Sequence, residues 1–201
     1  MPLTPSDDID LIDVTTPFQG HFRVDRYRFR YRLYNGGWSR PTTREVFERG
    51  HAVGVLLYDP ALDRIVMIEQ VRLPALVGGG PVRLLEIAAG IIDPGESEEA
   101  VAHREVKEET GLDLTALEPI CRFLASPGGT SESVSLFAGR VDARGAGGVF
   151  GADHDEDIKV IPLAYAEAMA ALAAGRIVAA SAIIALQWLT LNRERMLAKW
   201  G

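Results

Sequence analysis

Several things are scarce in this chain. One cysteine in 201 residues excludes an internal disulfide, so the fold must rest on its core and its hydrogen bonds. No apolar run reaches the roughly 20 residues that a bilayer span requires. The longest, "IVAASAIIALQWL" at 177–189, is followed two residues later by "NRERMLAKW" and reads as a packed helix. The amino-terminal stretch "MPLTPSDDIDLID" is acidic and lacks the basic-then-apolar order of a secretory leader. We therefore expect a cytoplasmic protein with no membrane anchor. Positive charge is also short, with 21 Lys and Arg against 28 Asp and Glu and a net charge of -7. That is the wrong balance for a protein that grips nucleic-acid phosphates. Residues 1–50 depart locally, with eight arginines against seven acids. Five of the arginines lie in "RVDRYRFRYR" and read as the wet face of a strand.

What is present is enough apolar material, 47% of the chain, for one full core with a small appended subdomain. Phe29, Tyr31 and Leu33 alternate with Arg28, Arg30 and Arg32, and "NGG" at 35–37 supplies positive-φ residues for a tight turn. An amino-terminal β subdomain over 1–49 is therefore expected, followed by a main domain over 50–201. "HAVGVLLYDPALDRIVMIEQVR" reads as a core hairpin turning at "DPALD". After the loop "LPALVGGGPV", the strand "RLLEIAAG" leads into a helix at 98–110, capped by Ser97 and terminated by Gly111. Short strands follow around "PICRFLA" and "SVSLFAGRV", then a glycine-rich loop "RGAGGVFGADHDED", a strand "IKVIPL", and helices near 164–174 and 179–198. This irregular mixture implies a layered α/β domain with a mixed sheet.

Within the helix at 98–110, Val101, Ala102 and Val106 mark a narrow buried stripe, while Glu105, Glu108 and Glu109 share a face at i, i+3 and i+4. Glu98 and Glu99 occupy the first turn, where the helix dipole favours acids. The later three sit near the end that disfavours them. Mutual repulsion and dipole placement each cost a few tenths of a kcal/mol. Arg104 and Lys107 could compensate a solvated patch; the other reading is a cation that the sequence does not contain. Carboxylates one turn apart offer the hard oxygens that suit Mg²⁺, which keeps several waters and so leaves positions for phosphate oxygens.

Taken as a string, Gly90, five residues, Glu96, seven residues, Arg104, Glu105, Val106, one residue, Glu108, Glu109, one residue, Gly111 and Leu112 resembles the signature box of the Nudix hydrolase family at every position. The resemblance implies a Nudix-type α/β/α sandwich with a mixed sheet, plus the small amino-terminal β subdomain. It implies Mg²⁺, with Mn²⁺ as a possible substitute, held mainly by Glu105 and Glu109, assisted by Glu108 and completed by the Ala89 carbonyl beside Gly90. Arg104 would orient the ligands by pairing with Glu96. The activity implied is hydrolysis of a pyrophosphate bond in a nucleoside diphosphate linked to another group.

Beyond the box, "FERGHAV", "IEQVR", "FLASPGGTSE" and "ASAIIALQWL" are similar to the ADP-ribose pyrophosphatase branch, as is Pro127, fifteen residues beyond Leu112. That branch implies a homodimer exchanging its amino-terminal subdomains. Arg44 would stack on adenine opposite the partner subunit's His21 or the partner subunit's Phe22, Arg72 would contact phosphate, and Ser126 and Glu132 would approach the terminal ribose. A catalytic base is expected on "ADHDEDI" at 152–158, with Glu156 first and Asp155, Asp153 and His154 behind it. The expected reaction converts ADP-ribose to AMP and ribose 5-phosphate. Another sugar nucleotide such as GDP-mannose is the alternative substrate, and a nucleotide sensor without turnover is the alternative class.

Other features carry blander expectations. The 152–158 loop fails as an EF-hand, because Ile158 replaces its glycine and Ala164 its bidentate Glu. Cys121 reads as a core residue, His51 as a packed one, and "GGG" at 78–80 as a flexible connection.

Overall fold

Side-chain alternation along two central strands, β4 (Ala52–Asp59) and β5 (Arg64–Val71), explains the layering of the larger part of the chain. Val53, Val55, Leu57 and Val66 point to one face of the sheet, where they meet Val101, Ala102 and Val106 of the helix α2 (Glu98–Thr110). Leu56, Tyr58, Ile65 and Met67 point to the other, where α3 (Tyr165–Ala173) and α4 (Ala180–Trp200) cover them. Both strands are buried on both faces and so read as continuous apolar runs. The result is an α/β/α sandwich. This computed structural model describes residues 6–151 and 156–201.

The chain divides into two units. One comprises the residues up to Gly50 together with Leu124–Glu132; the other comprises His51–Phe123 and Ser133–Gly201. In the larger unit β6 (Arg83–Glu86), β7 (Ala88–Ile91), β8 (Ala116–Leu124), β9 (Ser133–Arg140), β10 (Gly148–Phe150) and β11 (Ile158–Ala164) complete the sheet. Its order is β10-β11-β5-β4-β9-β8, with β6 on β5 and β7 on β4. The β4–β9 pair is parallel, whereas β4–β5, β5–β6, β4–β7, β5–β11 and β10–β11 are antiparallel, so the sheet is mixed. The segment expected as one strand over "RLLEIAAG" is two, changing partner from β5 to β4 at the buried Ile87. That change brings Ala89 and Gly90 beside Gly54 and Val53.

The smaller unit is an antiparallel sheet of β1 (Ile9–Gln19), β2 (Arg23–Tyr31) and β3 (Thr42–Glu48). Between β2 and β3, Gly36 and Gly37 adopt φ of 89° and 80°, as the "NGG" turn requires. Cross-strand acids answer two of the arginines: Arg26 pairs with Glu45 at 2.8 Å, and Arg30 pairs with Asp10, which stands directly opposite it. Leu124–Glu132 joins this unit through a bridge from Thr130 to Phe47, the Phe47 amide donating to the Gly129 carbonyl at 2.8 Å.

Four further features differ from the sequence reading. β1 was not expected, because Asp10, Asp13 and Pro17 interrupt its apolar pattern; it is an edge strand with two register shifts, the second spanning Pro17. The loop after residue 72 contains a short helix, α1 (Leu73–Val77), and the glycine-rich loop contains β10. Cys121 is exposed, since β8 is the outer strand of the sheet and its outward-facing positions have no layer above them.

Candidate active site

Helix α2 is specified at both ends. The Ser97 side chain accepts the Ala100 amide at 3.2 Å, and Gly111 closes the helix in the left-handed region at φ 70°. A side chain at position 111 would also collide with the Phe150 ring of β10. Lys107 turns to the helix end, donating to the Gly111 carbonyl at 3.1 Å and to Asp113 at 2.9 Å. It therefore neutralises the terminal carbonyls and not the acidic face.

That face falls to Arg104. Its Nε and Nη2 donate to the two oxygens of Glu96 at 3.0 and 2.9 Å, Nη1 donates to Glu105 at 2.6 Å, and Glu108 lies 3.4 Å away. The bidentate pair with Arg104, helped by the Asp93 amide, holds the Glu96 carboxyl below its usual range. One guanidinium thus serves three carboxylates. Glu105 is half-buried, and desolvation raises its pKa despite Arg104.

Glu109 is only 5% exposed. Its Oε2 accepts the Ala89 amide at 2.9 Å, the one donor it has among the described residues. Burial pushes its pKa up to about 8; the Ala89 amide opposes that shift, while the charges of Glu105 and Glu156 reinforce it. Glu156 also raises Glu105, so its charge acts on both helix acids from outside the helix. Its position is fixed locally by its amide, which donates to the Gly151 carbonyl at 3.0 Å. Asp153, His154 and Asp155 lie outside the described residues.

Gly90 is required where it stands. A β-carbon there would overlap the Glu105 carboxylate, so the backbone beside Ala89 and the helix acids can approach closely only because position 90 has no side chain. The donor set is hard carboxylate oxygen, and its summed negative charge exceeds what Arg104 and Arg72 supply. Both properties fit a hard divalent cation. Among the described residues no three acidic, histidine or cysteine side chains converge tightly enough to enclose an ion in this arrangement. Glu105 is drawn to Arg104 and Glu109 to the Ala89 amide, and both side chains would turn slightly to share a cation.

Arg72, at the end of β5, also belongs to this region. Its charge lowers the pKa of Glu109, and its side chain pairs with Glu86 at 2.9 Å. The sequence reading did not single out Glu86; its one signal was an acid in an otherwise apolar strand. His51 accepts the Ser133 amide at 3.2 Å on Nδ1, with the Ser133 hydroxyl 2.9 Å away, a polar role at the start of β4.

The remaining expected residues are in the smaller unit. Arg44 lines a cleft of about 440 Å³ with Tyr27, Phe29 and the turn from Pro127 to Ser131. Its Nη1 donates to the Thr43 carbonyl at 2.8 Å. His21 and Phe22 meet edge-on at 4.5 Å, and Arg49 lies over the Phe22 ring at 5.4 Å. Glu132 is 3.5 Å from Arg49, and the Ser126 carbonyl accepts the Gly129 and Thr130 amides, closing the turn. Arg44, His21, Phe22, Ser126 and Glu132 thus belong to the smaller unit, and the acids of α2 belong to the larger one.

A sandwich with this helix, its acids and an adjoining glycine strand defines a class, and the family description NUDIX domain matches residues 48–181: the chain belongs to the Nudix family. It is 45% identical over 195 residues to an ADP-ribose pyrophosphatase of Escherichia coli strain K12, covering 96% of this chain and 93% of that one. An ADP-ribose pyrophosphatase of Haemophilus influenzae is 38% identical over 96% of this chain and 91% of its own. A GDP-mannose pyrophosphatase of Pectobacterium atrosepticum is 33% identical over 90% of this chain and 94% of its own. A solved structure described as an ADP compounds hydrolase shares the fold, with TM-score 0.66, 21% identity, and coverage of 94% of this chain and 98% of that chain.

Proposed function

We propose that the chain is a Nudix pyrophosphatase that hydrolyses ADP-ribose to AMP and ribose 5-phosphate with Mg²⁺. The observation that carries the substrate is the 45% identity over 96% of the chain. It extends beyond residues 48–181 into the amino-terminal unit that holds Arg44, whereas the GDP-mannose relative is 33% identical. The reaction type rests on the crowded carboxylates of α2 around Gly90.

Glu105, Glu109 and Glu108, with the Ala89 carbonyl, would hold the cation, whose chemistry is to neutralise the diphosphate and polarise its phosphorus atoms toward water. Arg104 keeps Glu105 oriented through its fixed bond to Glu96. Glu156 takes the proton of the attacking water, being the described acid outside α2 whose charge acts on both Glu105 and Glu109. Arg72 contacts a phosphate, and Arg44 offers a guanidinium plane to adenine, with the partner subunit's His21 or the partner subunit's Phe22 opposite. Ser126 and Glu132 approach the terminal ribose.

The test is turnover of ADP-ribose and GDP-mannose with Mg²⁺ in H₂¹⁸O, with both products identified by mass. ADP-ribose should be preferred, giving AMP and ribose 5-phosphate. A strong preference for GDP-mannose would overturn the substrate, and tight ADP-ribose binding without turnover would make the protein a sensor. Glu156→Gln should lower kcat about 10²- to 10⁴-fold while leaving Mg²⁺-induced thermal stabilisation intact. If that stabilisation is lost as well, Glu156 is a metal ligand and not the base.

A further inference from the structure

Arg72 stands at the last turn of strand before α1, and 40% of its side chain is exposed. An arginine so placed would ordinarily sample many rotamers in water. Here it does not. Its Nε donates to Glu86 Oε2 at 3.1 Å and its Nη2 donates to the same oxygen at 2.9 Å. Glu86 is itself fixed: its side chain is only 12% exposed, it stands opposite Ile68 in the β5–β6 ladder, and the buried Gln70 amide donates to Oε2 at 3.4 Å. Gln70 of β5 and Arg72, which continues the strand in extended conformation one residue past its end, project to the same side, so the guanidinium lies back along the strand toward Glu86. Three residues after Glu86 comes Ala89, whose amide holds Glu109.

A guanidinium has five N–H donors in a rigid fork. Glu86 engages Nε and Nη2, and among the described residues Nη1 has no hydrogen-bond partner. The fork is therefore locked by one edge with the other edge open, and the strand that locks it leads on to Ala89, the donor to Glu109. We propose that Glu86, steadied by Gln70, is a positioning residue: it presents the open edge of Arg72 to a phosphate oxygen of the substrate and makes no contact with the substrate itself. A bracket of this kind lowers the entropy lost when the phosphate is bound and fixes the angle of approach.

The inference rests on the proposed pyrophosphatase reading. Its test compares wild type, Glu86→Gln, Arg72→Gln and the double variant for kcat and KM with ADP-ribose and Mg²⁺. Melting temperatures verify that each variant is folded. Glu86→Gln keeps the shape of the side chain and removes its charge. It should lower kcat/KM about 10- to 100-fold, and in the Arg72→Gln background the same change should have almost no further effect, because the two act as one unit. Glu86→Asp, which keeps the charge, should recover part of the loss. Equal losses from Glu86→Gln with and without Arg72, or no loss at all in an active enzyme, would overturn the assignment. An inactive wild type would instead sink the pyrophosphatase reading.

Discussion

Glu109 concentrates the physics of the site. Its carboxyl is buried on the stripe that Ala102 and Val106 begin, and with the Ala89 amide as its one donor among the described residues burial favours the protonated form. Replacing it with Gln keeps an acceptor for that amide and removes the cost of protonating, on folding, a carboxyl that is ionised in the unfolded chain. Each unit of pKa displacement corresponds to about 1.4 kcal/mol, so Glu109→Gln should stabilise the metal-free protein at neutral pH by at least about 1 kcal/mol, or about 2–4 °C in Tm for a chain of this size. The same variant should lose Mg²⁺-dependent turnover. A thermal melt without metal, set beside an activity assay, checks both. A fall in Tm would mean that the carboxylate is better solvated than its burial implies. The spacing of the three glutamates made their shared face legible in the sequence. The burial of Glu109 was less so, though the i+3 step from Val106 was the available signal.

At the scale of elements, the turn between β4 and β5 shows how a polar residue can tie distant segments. Asp59 accepts the Ala61, Leu62 and Ala143 amides at 2.9, 3.2 and 2.7 Å. Asp63, in the left-handed region at φ 49°, accepts the Tyr58 hydroxyl at 2.7 Å and two donors of Arg193 on α4 at 3.1 and 2.7 Å. Arg193, and then the Tyr58 hydroxyl, hold the Asp63 carboxyl below its usual range. Because the folded pKa is depressed, this contribution is present above the ordinary carboxylate range and fades as pH falls through the depressed value. Asn tolerates the left-handed backbone, so Asp63→Asn isolates the charge. It should cost about 1 kcal/mol or less near neutrality, since the pair is partly exposed. The difference from wild type should shrink in acid, as urea titrations at several pH values would reveal; a constant difference would place the effect in shape and not charge.

The elements that the sequence disclosed most fully were those with chemical punctuation. Ser97 and Gly111 bound α2 where expected, and "DPALD" turned the central hairpin. β1, β10 and α1 were hidden, for separate reasons: an edge strand tolerates Pro17 and acids, three residues are too few for a pattern, and an all-apolar pentamer beside glycines has no amphipathic period. Cys121 was misplaced because residue type says little about which side of an edge strand lacks a covering layer.

At the scale of the whole molecule, the amino-terminal unit leaves Leu11, Ile12, Val14 and Phe18 of its edge strand substantially exposed. Apolar side chains along an unpaired edge favour association, consistent with the proposed exchange of this unit in a homodimer. Sedimentation should give twice 21.9 kDa, and Leu11→Asp with Val14→Asp should shift the population to monomer; a wild-type monomer at micromolar concentration would end that proposal. The same unit has a further property. Its third strand is bonded to Gly129 and Thr130, which the ribosome makes some eighty residues after Phe47. A fragment ending at Gly50 should therefore remain loosely structured in amide-exchange experiments. In the growing polypeptide, the residues up to Gly50 must wait for Gly129 and Thr130 before their own fold can close.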